Sequence, residues 1–439
     1  MHCARLDTVR PDIVGISALS DELYIGRDIA RIAKQWDPSV TVIWGNKAPT
    51  MAPEKVLADR HTDYLCCGEG IEAFPAFIEA LEKGSDPGAI RNIFSRATDG
   101  SIKRTALRPY YQDLDRLPPL DWSIFDERHF LKPYDGKVYR GGDHMLFWGC
   151  PNICTYCINE AYRTLHGPHA GKYLRNYSIE RIVGELEELI RQWDIGFFKF
   201  HDEDFCLKPL PVFEALADAY QRRVRVPFTI MANARTVSAE KVALLKHMNC
   251  VSVTLGIETG NDRLRREVLK RRETVDDIVR ATNLFHDAGI RTASFNMLGI
   301  PFETRQTVME TIEVNKRAGI RYPNAGFFFP LENTELREIA IANGFFDRDS
   351  NAVFQNDRPT LRFSDLSAEE LIALRERFVL YIKMPYTLYP YIHRSEQKDA
   401  LGEALTKELY SIYDSCVFQN DGVWNDHGRL TEYTARLEQ

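Results

Sequence analysis

Apolar residues along this chain fall into short runs separated by stretches of helical spacing, and that alternation predicts an α/β protein. Asp12-Ile-Val-Gly-Ile-Ser17 reads as a short buried strand. Glu22–Trp36 carries apolar residues at helical spacing and stops before Asp37-Pro38. Thr41-Val-Ile-Trp-Gly45 and Asp63-Tyr-Leu-Cys-Cys67 read as two more strands, with a helix over Ile71–Glu82. Residues 1–84 therefore form a Rossmann-like layer. Residues 85–143 carry Pro, Gly and Asp clusters, including Leu117-Pro-Pro-Leu120, and read as a linker. From 144 to 335 the alternation returns. Ser178 caps a helix to Trp193 with Ile182, Leu186 and Ile190 on one face. Strands at 196–200, 228–231, 251–257, 292–298 and 324–329 alternate with helices at 239–247, 275–288 and 304–318. With a strand over Met145–Trp148, these make six, a partial TIM-type (β/α)6 barrel, whose chemistry belongs at the C-terminal strand ends. Residues 336–439 read as a helical C-terminal region, with the aromatic run Met384–Tyr391 serving as packing.

Composition narrows the class. Hydrophobic content of 44% and charge of 27% are those of an ordinary globular protein. A net charge of −7 argues against a nucleic-acid surface. No apolar run nears the roughly 18 residues of a membrane span, and no signal peptide is visible. Cys3, Cys206, Cys250 and Cys416 are scattered, and Cys66 and Cys67 adjoin, so no disulfide framework is expected. A reducing cytoplasm fits.

One stretch changes the picture: Met145–Asn159, MLFWGCPNICTYCIN. Cys150, Cys154 and Cys157 stand as C-x3-C-x2-C in a loop, with Tyr156 before the last. Three thiolates in a short loop can hold three irons of a 4Fe–4S cluster and leave the fourth open. A zinc site completed by His166 or His169, or a disulfide with a stray thiol, are the alternatives.

This loop resembles the C-x3-C-x-aromatic-C motif of the radical S-adenosylmethionine (SAM) superfamily. The resemblance implies that SAM chelates the open iron and that one electron splits it to methionine and a 5′-deoxyadenosyl radical. It also assigns roles at the strand ends. His201-Asp-Glu-Asp204-Phe205 resembles the family's F-x-D-D-x-F, so Asp202, Glu203 and Asp204 are candidates for holding the SAM ammonium or serving substrate as acids. His201 reads as structural. Asn233-Ala-Arg235 resembles N-x-R, giving Arg235 to the SAM carboxylate or a substrate anion. Gly256-Ile-Glu258-Thr-Gly260 is similar to G-I-E-S-G, giving Glu258 to the ribose hydroxyls and Gly256 to close approach. Leu298-Gly299-Ile-Pro301 resembles the segment whose backbone meets adenine, with Phe302 where the family has glycine.

The N-terminal layer resembles the cobalamin-binding domain that precedes many of these barrels. Ser17-Ala-Leu19 matches the Ser-x-Leu segment, and Gly45 the first glycine of a Gly-Gly turn, with Asn46 in place of the second. The Asp-x-His-x-x-Gly motif that would ligate cobalt has no room before Pro11, so a truncated domain is expected. On that ground the expectation is a cobalamin-independent enzyme acting on a small natural product. Radical dehydration, deoxygenation or rearrangement is expected, as in the radical SAM dehydratase of apramycin biosynthesis, with the acids around Glu203 suiting an amino sugar. The alternatives are a cobalamin-dependent C-methyltransferase and a non-catalytic iron–sulfur partner protein. An electron donor such as flavodoxin or ferredoxin, and a pathway reductase, are the implied partners.

Overall fold

The computed structural model describes residues 2–350 and 357–438, with side chains from residue 5, so Cys3 lies outside the described side chains. The chain divides into two compact units that interleave in sequence. One contains Met1–Gln112, Pro151–Tyr173 and Pro330–Phe354; the other contains Asp113–Cys150, Leu174–Phe329 and Gln355–Gln439.

In the first unit the strands β1 (Ile13–Ser17), β2 (Thr41–Gly45) and β3 (Tyr64–Cys66) run parallel, as their apolar runs predict. β4 (Ile93–Arg96) and β5 (Ile102–Lys103) extend the sheet antiparallel, in the order β1-β2-β3-β4-β5. Ile16, Val42, Trp44, Leu65 and Phe94 bury one face against Ala30 and Ala33 of the helix Leu23–Trp36. Two later segments belong to this unit. Asn333 donates to the Met51 carbonyl at 2.6 Å, Lys55 pairs with Glu332 at 2.6 Å, and the Tyr110 ring lies 4.4 Å from His166.

The second unit is built on a seven-stranded sheet in the order β14-β13-β12-β11-β10-β7-β6. Its strands are β6 (Leu131–Tyr134), β7 (Lys137–His144), β10 (Phe197–Phe200), β11 (Phe228–Ala232), β12 (Cys250–Glu258), β13 (Arg291–Leu298) and β14 (Tyr322–Phe327). Between β7 and β10 lies a two-stranded ribbon of β8 (Phe147–Trp148) and β9 (Arg175–Asn176). Six of the seven strands are parallel, with β6 antiparallel on the edge, which is the expected partial TIM-type barrel. Outward residues such as Phe198, Phe200, Ile230, Val253 and Leu255 pack on the surrounding helices, so the alternate positions face the lumen. The C-terminal helices Ala368–Lys383 and Ala400–Cys416 pack with Leu298, Val308 and Ile312 in a second core. Tyr389 and Tyr391 pack against that core, as the aromatic run predicts.

Three boundaries differ from the sequence reading. The stretch 85–143, expected as a linker, holds four strands: β4 and β5 of the first sheet, β6 and β7 of the second. The first barrel strand is β7, not Met145–Trp148; only Phe147–Trp148 is extended there, in the ribbon. The helix Glu335–Ala342 belongs with the first unit rather than with the C-terminal helices.

Candidate active site

The cysteine loop begins where β7 ends. Asp202, in the turn after β10, accepts the backbone N–H of Leu146 at 3.0 Å and of Phe147 at 3.1 Å. With those N–H groups taken, the chain cannot continue the ladder of β7 beyond His144, and it turns off through β8 toward Cys150. Burial pushes the Asp202 carboxyl up to about 6, against those two N–H groups and the charges of Lys208 and His144. Asp202 therefore positions the loop. Both oxygens of this expected candidate acid accept from backbone N–H groups.

Cys150 and Cys154 are buried and Cys157 half-buried, with Tyr156 half-buried between the last two. Cys157 N–H closes a turn on the Cys154 carbonyl at 3.0 Å, and Asn159 Nδ2 lies 3.5 Å from Cys157 Sγ. Arg163 donates to the Pro151 and Asn152 carbonyls, and Leu336 N–H to the Thr155 carbonyl at 2.9 Å. Among the described residues no three His, Cys, Asp or Glu groups already form a metal-holding set. The donor chemistry of the loop, three thiols within eight residues, fits a 4Fe–4S cluster.

At the barrel's strand ends, β12 slips register against β13 between Gly256 and Glu258, and Glu258 takes φ +62°. Such a bulge re-aims a side chain at a strand end. A Cβ on Gly256 would sit 2.6 Å from Glu258 Oε1, so the glycine gives that carboxylate its place. Arg271 lies 3.7 Å from Glu258 Oε1, donates to the Gly256 carbonyl at 2.6 Å, and pairs with buried Glu273. Asn233 Nδ2 lies 3.5 Å from Glu273 Oε2. Arg265, fully buried, donates twice to the Thr259 carbonyl. The sequence reading missed Arg265, Arg271 and Glu273; their run of charge so close after Glu258 was the available signal.

The other expected residues fall as follows. Asp204 is buried and accepts from Asn233 N–H at 3.2 Å and Thr236 Oγ1 at 2.8 Å. Its Oδ2 is buried with no hydrogen bond among the described residues, and burial pushes its carboxyl up to about 6 against the Thr236 and Asn233 bonds. Glu203 and Arg235 are exposed, Arg235 on the turn Ala234–Thr236. Gly299 has φ +77°, and its N–H is taken by Glu303. Pro301 is buried, and Phe302 occupies a left-handed φ of +66°, the conformation a glycine would take freely. His201, read as structural, bonds Asp143 Oδ1 at 2.8 Å while half its side chain is exposed. Burial raises the Asp143 carboxyl, but His201 and Lys132 outweigh it and hold the group at about 2.

In the first unit, Ser17 and Gly45 are register partners at the C-terminal ends of β1 and β2. Asn46 adopts φ 76° and ψ −153°, a backbone region used almost only by glycine. Its side chain folds back, accepting from Lys47 N–H at 2.9 Å and donating to Ser17 Oγ at 3.2 Å. With Asn46 in place of the second glycine, the glycine-type turn still forms. A Cβ on Gly45 would meet nothing within 4 Å. Open α/β sheets bind ligands in the crevice outside such strand ends. Ser17, Gly45 and Asn46 thus fit an edge against which a corrin could lie.

Residues 146–314 match the family model of the radical SAM superfamily, and residues 3–78 that of the B12 binding domain. The chain thus carries a radical SAM domain preceded by a B12-binding domain. It is 25% identical over 380 residues to an uncharacterized methyltransferase of Pyrococcus horikoshii, covering 86% of this chain and 80% of that protein. It is 25% identical over 441 residues to the anaerobic magnesium-protoporphyrin IX monomethyl ester cyclase of Rubrivivax gelatinosus, covering 97% and 76%. The fold is that of the radical SAM methyltransferase TsrM from Kitasatospora setae, solved with tryptophan and a SAM analogue: TM-score 0.65 at 17% identity, over 94% of this chain and 81% of that one. The B12 match over residues 3–78 runs against the expectation of a cobalamin-free enzyme, and neither relative is named as a dehydratase. Among the described residues no helix is long and apolar enough to cross a membrane.

Proposed function

We propose that this radical SAM enzyme is a cobalamin-dependent C-methyltransferase acting on a small molecule in the cytoplasm. The observation that carries this reading is the presence of a B12 binding domain match and the three-cysteine loop in one chain. A bound cluster supplies the electron that splits SAM, and a bound corrinoid supplies a methyl carrier. Cys150, Cys154 and Cys157 would hold the cluster. Glu258, braced by Arg271, would take the SAM ribose, and Gly299 and Pro301 would present backbone to adenine. Asp204 Oδ2 is an acceptor for an ammonium. Ser17, Gly45 and Asn46 would hold the corrin edge. Electrons would come from a flavodoxin- or ferredoxin-type donor. A cyclase is the second reading, favoured by the relative that matches 97% of this chain.

The test is anaerobic reconstitution with iron, sulfide, SAM and a reductant, with and without hydroxocobalamin. Methyl loading needs no substrate, so S-adenosylhomocysteine formed only with cobalamin supports the reading. Asn46→Gly should keep or raise cobalamin retention. 5′-Deoxyadenosine alone, with no cobalamin retained through gel filtration, would return the protein to the cobalamin-independent class.

A further inference from the structure

At the N-terminal ends of its strands, the lumen of the second unit ends in a cavity of about 740 Å³. Lys199, Thr229, Ser252, Thr254, Ala293 and Tyr322 line it from successive strands, and the turn Tyr134–Gly136 closes one side. These residues share one face. Lys199 pairs in register with Thr229, Thr229 with Ser252, Thr254 with Ala293, and Ala293 with Tyr322.

Among the described residues, Lys199 makes no ion pair or hydrogen bond, and the hydroxyls of Thr229 and Thr254 make no hydrogen bond. Tyr134 Oη is buried and has Arg291 and Ser252 as its polar partners. The other charges are balanced. Arg291 pairs with Asp135 at 2.7 Å and Asp421 at 3.1 Å, and Arg321 also pairs with Asp421. Asp143, the register partner of Lys199 on β7, is taken by His201 and Lys132. One ammonium is left over, surrounded by hydroxyl donors, which is the donor set for a carboxylate or phosphate.

Above this floor stands an aromatic side chain. Phe295 faces the lumen with 45% of its surface exposed, while Ser294 and Asn296 on either side turn outward to bond Asn315. Ser252 and Glu258 are six residues apart on β12, about 20 Å at the rise of an extended strand.

We propose that the floor cavity binds the anionic end of an elongated substrate, with Lys199 as its counter-ion and an apolar body lying along Phe295 toward Glu258. This rests on the reading of the barrel as a SAM-dependent catalyst and adds the class of its substrate. The test is calorimetric titration of the reconstituted enzyme with two probes, inorganic phosphate and malonate, with glycerol as the neutral control. Wild type should bind at least one anion. Lys199→Gln should weaken it about 10- to 100-fold, the worth of one charged hydrogen bond. Lys199→Arg should retain binding, which separates lost charge from lost fold. Anion binding is read without SAM or cobalamin, so the test stands apart from that of methyl transfer. No anion binding to wild type, or equal binding to Lys199→Gln, would overturn the proposal.

Discussion

Glu303 shows how one buried group ties the adenine-side turn to pH. It is buried beside Gly299, whose N–H it accepts, and burial pushes its carboxyl up to about 8. Its folded pKa lies above that of a free glutamate. Its contribution is therefore complete below about 4.5 and is lost as pH rises toward 8. The loss is on the order of a few kcal/mol. Glu303→Gln keeps an acceptor for Gly299 and cannot ionise, so its melting temperature should fall much less between pH 5 and pH 8.5 than that of wild type. Thermal melts at the two pH values check this. At this scale the sequence was legible where function sits in a local motif: Gly256 and Glu258 are two residues apart and carry their own geometry. Arg271 and Glu273 were not legible, because their approach depends on how the Leu264–Val268 turn returns the chain to β12.

At the scale of elements, apolar runs marked β10 to β14, because buried parallel strands must be continuously apolar, and helical spacing marked their helices except Leu210–Arg223. β7, Lys-Val-Tyr-Arg-Gly-Gly-Asp-His, hid itself: its lumen face is polar and its glycines lie under Lys132 and Phe198. The same polarity hid β6, its antiparallel partner. The element that links this strand to the chemistry is the turn holding Asp202. Asp202→Ala leaves the N–H groups of Leu146 and Phe147 buried without acceptors, at about 1–3 kcal/mol each. The variant should melt lower by several degrees and bind less iron, while Asp202→Asn, which keeps an acceptor, should lose less of both. Iron analysis alongside the melts decides it.

At the scale of the molecule, the interleaving of two units from six chain segments was not legible, since sequence order cannot reveal which later segments return to an earlier sheet. The division runs through the cysteine loop, with Cys150 in one unit and Cys154 and Cys157 in the other. Replacing any one of the three by Ala should abolish 5′-deoxyadenosine formation and strip most of the iron, with far-ultraviolet circular dichroism unchanged, because the proposal gives each thiol to one iron of the cluster. The Asp202 contact has a temporal meaning as well. The carboxylate that fixes the entry to the loop lies 56 residues downstream of Leu146, in the turn after β10. In a chain made from its N-terminus, the three thiols therefore emerge before the carboxylate that fixes the entry to their loop.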